Sequence, residues 1–71
     1  MTDNRTLVYI GSHLREARLK KHMTQNEVAD KAGISPNYYA RIERADTGTS
    51  ILIFEKIIKA LKVKSKDILP F

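Results

Sequence analysis

The chain contains no cysteine, which excludes a disulfide framework and a thiolate metal site and fits a reducing compartment. It has no tryptophan, 2 prolines and 3 glycines, so few positions interrupt regular structure. No long apolar run is present. The nearly uncharged stretch 47–54 is far shorter than the roughly 20 residues a spanning helix needs, and no signal peptide is visible. The expected location is cytoplasmic, away from any membrane. Acidic side chains are the minority, 8 Asp and Glu against 13 Lys and Arg, for a formal net charge of +5. A basic small domain suits a polyanionic partner such as nucleic acid or an acidic membrane surface, although many basic surfaces are simply solvated.

What is present is short. The 71 residues leave room for one domain, 1–71, and no separate effector module. A domain this small buries only about 60% of its unfolded surface, a poor basis for a deep enzyme pocket. No Ser-His-Asp set, glycine-rich phosphate loop or paired carboxylate stands out, so no enzyme activity, cofactor or small-molecule ligand is expected. His13 and His22 lie nine apart without cysteine partners and read as surface residues rather than metal ligands. Glu16 with Lys20, and Glu55 with Lys59, have the spacing of ordinary helix-surface pairs.

Hydrophobic spacing and capping chemistry predict an all-α fold of five helices. Helix one is expected over 6–22, with Leu7, Ile10, Leu14 and Ala17 on one apolar stripe. Thr24-Gln25-Asn26-Glu27 has the pattern of a capping box that opens helix two. Val28, Ala29 and Ala32 follow inward, and Gly33 offers the left-handed conformation that ends a helix cheaply. Ser35 then reads as an N-cap with Pro36 at the first helical position. Helix three runs to about Arg44, with Tyr39 and Ile42 inward beside Ile34. The segment 45–49 is a loop. Helix four is capped by Thr49 or Ser50 and buries Ile51, Phe54, Ile57, Ile58 and Leu61. Ser65 caps a short fifth helix carrying Ile68 and Leu69, stopped by Pro70.

Two short helices joined by a turn of 3–4 residues containing glycine have the layout of a helix-turn-helix, here at about 24–44. Such a turn lets the second helix protrude into a major groove about 12 Å wide while the first braces it across the backbone. Asn37, Tyr38 and Arg41 fall on its outward face.

The ordered segments Leu14-Arg15-Glu16-Ala17-Arg18, Met23-Thr24-Gln25-Asn26-Glu27-Val28-Ala29, Ala32-Gly33-Ile34-Ser35 and Tyr39-Ala40-Arg41-Ile42-Glu43-Arg44 closely resemble the phage repressor/Cro-like (XRE-type) helix-turn-helix family. The similarity continues through Ser50-Ile51 and Ala60-Leu61-Lys62-Val63 to Ser65, so it spans roughly 10–69. It implies a compact five-helix lambda-repressor-like domain that binds a specific double-stranded DNA site and regulates transcription. Short members include restriction-modification controller proteins, phage repressors and regulators on mobile elements.

The resemblance also implies roles. Gln25 matches the family's phosphate-clamping glutamine, aided by the helix N-terminus; Arg44 is expected as a second phosphate contact, with a solvated charge as its plainer reading. Ser35, Pro36, Asn37 and Arg41 occupy positions that face base edges in similar proteins, and Tyr38 beside them is expected to reach a thymine methyl or a phosphate. Asn37 suits adenine and Arg41 suits guanine, whereas Pro36 can offer only apolar contact, for instance to a thymine methyl. Arg18 and Glu43 match an internal salt bridge. Each has a plainer reading: Arg41 and Asn37 as solvated groups, Ser35 and Gln25 as capping residues, Tyr38 as packing. The Ala45-Asp46-Thr47 stretch departs from the glycine common at that point, and Asp46 would repel a nearby phosphate.

Leu52, Ile53, Leu69 and Phe71 do not fit the inward stripes. Apolar surface of this kind on a small protein tends to be an interaction site, so a homodimer through 50–71 is expected. Two recognition helices about 34 Å apart would then meet a near-palindromic operator. Two other classes remain open on the sequence: an antitoxin-type DNA-binding protein that also binds a toxin, and an interaction module that kept the fold. An RNA-binding role lacks an aromatic stacking platform.

Overall fold

The computed structural model describes residues 4–71, and the first three residues of the expected 1–71 domain lie outside it. Four α-helices follow one another: α1 (Arg5–Lys20), α2 (Gln25–Ala32), α3 (Pro36–Glu43) and α4 (Ile51–Leu61). No strand occurs among the described residues. The expected fifth helix is a single 3-10 turn, Ser65–Asp67. The Leu69 amide reaches the Ser65 carbonyl at 2.9 Å, but Pro70 follows at once and has no N–H to add a further bond, so the segment stops at one tight turn. It nonetheless buries Ile68.

The starts of the helices follow local chemistry. Thr24 Oγ1 accepts from the Glu27 amide at 3.1 Å, and the Glu27 carboxylate accepts from the Thr24 amide at 2.8 Å, completing a capping box. Ser35 caps α3 and Ser50 caps α4 through hydroxyls that accept from Tyr38 and Ile53 amides, each at 3.1 Å. Pro36 sits at the first position of α3, where the missing N–H has no intrahelical partner in any case.

The ends share one device. After each α-helix one residue enters the left-handed region: His22, Gly33, Ala45 and Lys62, with φ of 56, 72, 63 and 57°. The next amide then reaches back five residues, as in Met23 to the Arg18 carbonyl, Ile34 to Ala29, Asp46 to Arg41 and Val63 to Ile58. This closes the helix by satisfying an orphan carbonyl. It also ends α1 at Lys20, two residues before the 6–22 expectation.

The core comprises Leu14, Val28, Ala29, Ala32, Tyr39, Ile42, Phe54, Ile57, Ala60, Leu61 and Ile68. Helix α2 packs on α3 and α4, and α1 packs on α3. Gly11 makes the last of these contacts possible: a Cβ there would lie 2.5 Å from the Glu43 carbonyl oxygen. One expectation is corrected on α4. Ile51 is not part of the buried stripe but 75% exposed; the buried positions of α4 begin at Phe54, one turn further in.

Candidate nucleic-acid interface

Helix α2, the left-handed Gly33 and helix α3 form the exposed unit, and α4 and α1 hold it from behind. Ser35, Pro36, Asn37 and Arg41 are all exposed. Among the described residues no hydrogen bond or ion pair engages the side chain of Asn37 or Arg41, so both are open to solvent or to a ligand. Ser35 is committed by its hydroxyl to the Tyr38 amide. Tyr38 is half-buried and packs against the core, which leaves only part of its surface to an outside partner.

At the start of α2 the capping box consumes the amides of Thr24 and Glu27. The amides of Gln25 and Asn26 have no carbonyl within the helix to bond. They point out of the positive end of the helix, the ordinary arrangement for receiving a phosphate oxygen. The Gln25 side chain is half-buried and held: its Nε2 donates to Oε1 of Glu43 at 3.1 Å.

Glu43 is the hub behind this face. Its carboxylate accepts from Arg18 twice, Nε to Oε2 at 2.7 Å and Nη2 to Oε1 at 3.1 Å. Arg18 Nη1 also donates to the Met23 carbonyl at 2.9 Å. The pair is nearly enclosed, with side-chain exposures of 11% and 3%. Burial works to raise the Glu43 pKa, but the hydrogen bonds from Arg18 and Gln25, helped by the nearby Tyr39 hydroxyl, outweigh it and hold the carboxyl below its ordinary value. The hydrogen bond to Glu43 raises Arg18 in turn. Burial pushes the Tyr39 hydroxyl pKa up; this hydroxyl lies beside the pair and completes no hydrogen bond of its own.

Arg44 ends α3 at an exposed position and is engaged: its Nε donates to Oδ2 of Asp46 at 2.9 Å. The left-handed Ala45 between them folds Asp46 back toward the helix end. Sequence reasoning placed Arg44 on this face and gave Asp46 a repulsive role, but missed that the two pair. It also missed the Gln25–Glu43 hydrogen bond, since residues 18 apart carry no mark of contact.

Leu52 and Phe71 are 68% and 86% exposed, whereas Ile53 and Leu69 are half-buried against the core. Ile51, Leu52, Ile58 and Leu69 line an apolar groove of about 420 Å³. His13 is half-buried, its ring stacked on Tyr9 with centroids 3.8 Å apart.

Two capped helices about a left-handed glycine, braced by a third and fourth helix, define a helix-turn-helix protein. The helix-turn-helix family matches residues 14–68, and the chain belongs to it. It is 39% identical over 72 residues to Control protein C.BamHI of Bacillus amyloliquefaciens, a match covering 100% of this chain and 88% of that protein. It is 34% identical over 61 residues to the HTH-type transcriptional regulator SinR of Bacillus subtilis, covering 84% of this chain and 55% of SinR. The structure of the restriction-modification controller protein C.AhdI from Aeromonas hydrophila matches with a TM-score of 0.85 at 28% identity, covering 89% and 96% of the two chains. The C.Esp1396I tetramer in complex with its natural 35 base-pair operator gives 0.82 at 31% identity, covering 87% and 82%.

Proposed function

We propose that the chain is a sequence-specific double-stranded DNA-binding transcriptional regulator of the controller type, acting as a homodimer on a near-palindromic operator. The observation that carries this reading is the outward face of α3, where Asn37 and Arg41 stand exposed and unengaged at the end of a rigidly capped unit. Unsatisfied donors and acceptors on a protruding helix are what base-edge recognition needs. Asn37 pairs with adenine and Arg41 with guanine, Pro36 offers apolar contact, and Ser35 and Tyr38 flank them. Gln25 and the free amides of α2 clamp one phosphate, and Arg44 approaches another. These contacts fix the register in which the bases are read.

The relatives support the regulatory role: C.BamHI is a control protein, SinR a transcriptional regulator, and C.Esp1396I is bound to its operator. The dimer reading rests on the apolar groove that Leu52 and Leu69 help to line, with the exposed Phe71 and the half-buried Ile53 as further apolar surface.

Selection of sites from a random duplex library by the purified protein tests the reading. The expected outcome is a near-palindromic consensus whose half-sites lie about one helical turn apart. Survivors no richer in any sequence than the starting library, at low salt where phosphate contacts are strongest, would overturn it.

A further inference from the structure

We propose that Asp46 is a built-in competitor for the phosphate that Arg44 contacts, and that this intramolecular pair restrains binding to DNA of any sequence. The proposal rests on the DNA-binding reading above. It goes beyond it by giving an acidic residue on the binding face control over a phosphate contact and over the salt dependence of binding.

Three observations converge. Arg44 Nε and Asp46 Oδ2 are 2.9 Å apart, a good charge-assisted geometry. Both side chains are about half exposed, 57% and 50%, so the pair sits at the surface where a phosphate can reach it. The backbone is built to hold it: Ala45 takes φ of 63°, unfavourable for a residue with a Cβ, and the Asp46 amide is tied to the Arg41 carbonyl at 2.9 Å. That bond anchors Asp46 to α3 itself, one turn below the exposed Arg41. The carboxylate therefore stays near the end of the recognition helix whether or not Arg44 leaves it.

A phosphate oxygen can bind Arg44 through Nε only by displacing Asp46. The displaced carboxylate then remains beside the DNA backbone. Arg44 consequently contributes little net charge to binding: one ion pair is exchanged for another, and few counterions are released from the DNA on its account. A phosphate contact carries no sequence information, so the pair weakens binding in register and binding to arbitrary sequence by a similar factor, and it lowers the salt dependence of both.

The experiment compares the protein with D46N, R44A and the double variant R44A/D46N. Each is titrated across a salt series on the duplex selected by the unaltered protein and on a scrambled duplex of equal length. The D46N substitution keeps the backbone bond to Arg41, and melting temperatures are measured alongside to confirm folding. D46N is expected to tighten binding to both duplexes by a similar factor, roughly two- to fivefold, the range an exposed ion pair supports. Its plot of log affinity against log salt should steepen by about 0.9 per protomer, the value for one added phosphate contact. In the R44A background D46N should produce no steepening. An unchanged slope for D46N, or equal steepening without Arg44, overturns the proposal while leaving the DNA-binding reading standing. Failure of the unaltered protein to bind either duplex overturns that reading and this proposal together.

Discussion

The side-chain amide nitrogen of Gln25 donates to Oε1 of Glu43 at 3.1 Å. One N–H of the amide is thereby fixed, and the other is aimed by the same constraint. A side chain held this way has lost its rotamer freedom in advance, which would lower the entropic cost of the phosphate contact proposed for it. Because Glu43 is held in turn by Arg18, the surface contact is anchored in the core between α1 and α3.

Replacing Gln25 with alanine removes a hydrogen bond to a charged group, about 1.5–3 kcal/mol. A phosphate contact carries no sequence information, so affinity for the selected site and for a scrambled duplex should fall by the same factor. A titration showing a shift in base preference would place Gln25 at a base edge instead.

Arg18→Ala leaves the enclosed Glu43 carboxylate without its principal partner. Breaking a buried pair by deleting one member costs about 3–5 kcal/mol, a large fraction of the stability of so small a domain. Urea denaturation should show this loss, while the consensus bound by the remaining folded protein is unchanged. A loss within about 0.5 kcal/mol, as for an ordinary surface site, would contradict the structural role.

The same pair sets an acid limit. Glu43 titrates below its ordinary value of 4.5 when folded and near that value when unfolded. The unfolded state therefore binds the proton first as pH falls, and stability is complete above pH 4.5 and lost below it, down through the folded pKa. Glu27, lowered by its hydrogen bond to the Thr24 amide, adds in the same direction. Arg18 stays charged throughout. Melting temperature should hold steady from neutrality toward pH 4.5 and then drop. Glu43→Gln should start lower and drop less; an identical acid slope in that variant would assign the transition to other carboxylates.

Ala45→Gly should stabilise the protein. A Cβ in the left-handed region costs roughly 1–2 kcal/mol, offset in part by the greater freedom of glycine when unfolded. The expected net gain is about 1 kcal/mol, seen as a raised melting temperature. An unchanged or lowered value would show that the turn carries no strain at this position.

The starts of α2, α3 and α4 were legible because capping is local: Thr24, Ser35 and Ser50 act on amides within three residues, and Pro36 fits the first position of α3. The helix ends were legible only at Gly33. His22, Ala45 and Lys62 adopt the same left-handed turn without the residue that normally announces it, because the packing of the next segment imposes the conformation. Gly11 passed without notice for a related reason. Its role is the close approach of α1 to the end of α3, a tertiary fact with no local signature. On the candidate interface, the exposure of Asn37 and Arg41 could be read from helical spacing. The constraint on Gln25 and the pairing of Arg44 with Asp46 depend on where separate segments meet. Ile51 was misplaced because periodicity gives the direction of a side chain but not where the core ends.

The central claim is that the outward face of α3 reads bases, and repeating the library selection with Arg41→Ala tests it most directly. The account predicts a consensus equal to that of the unaltered protein except for relaxed preference at one base position in each half-site, with about 1–3 kcal/mol lost on the original site. An identical consensus, with affinity for all sequences reduced alike, would put Arg41 on the phosphate backbone and contradict the claim.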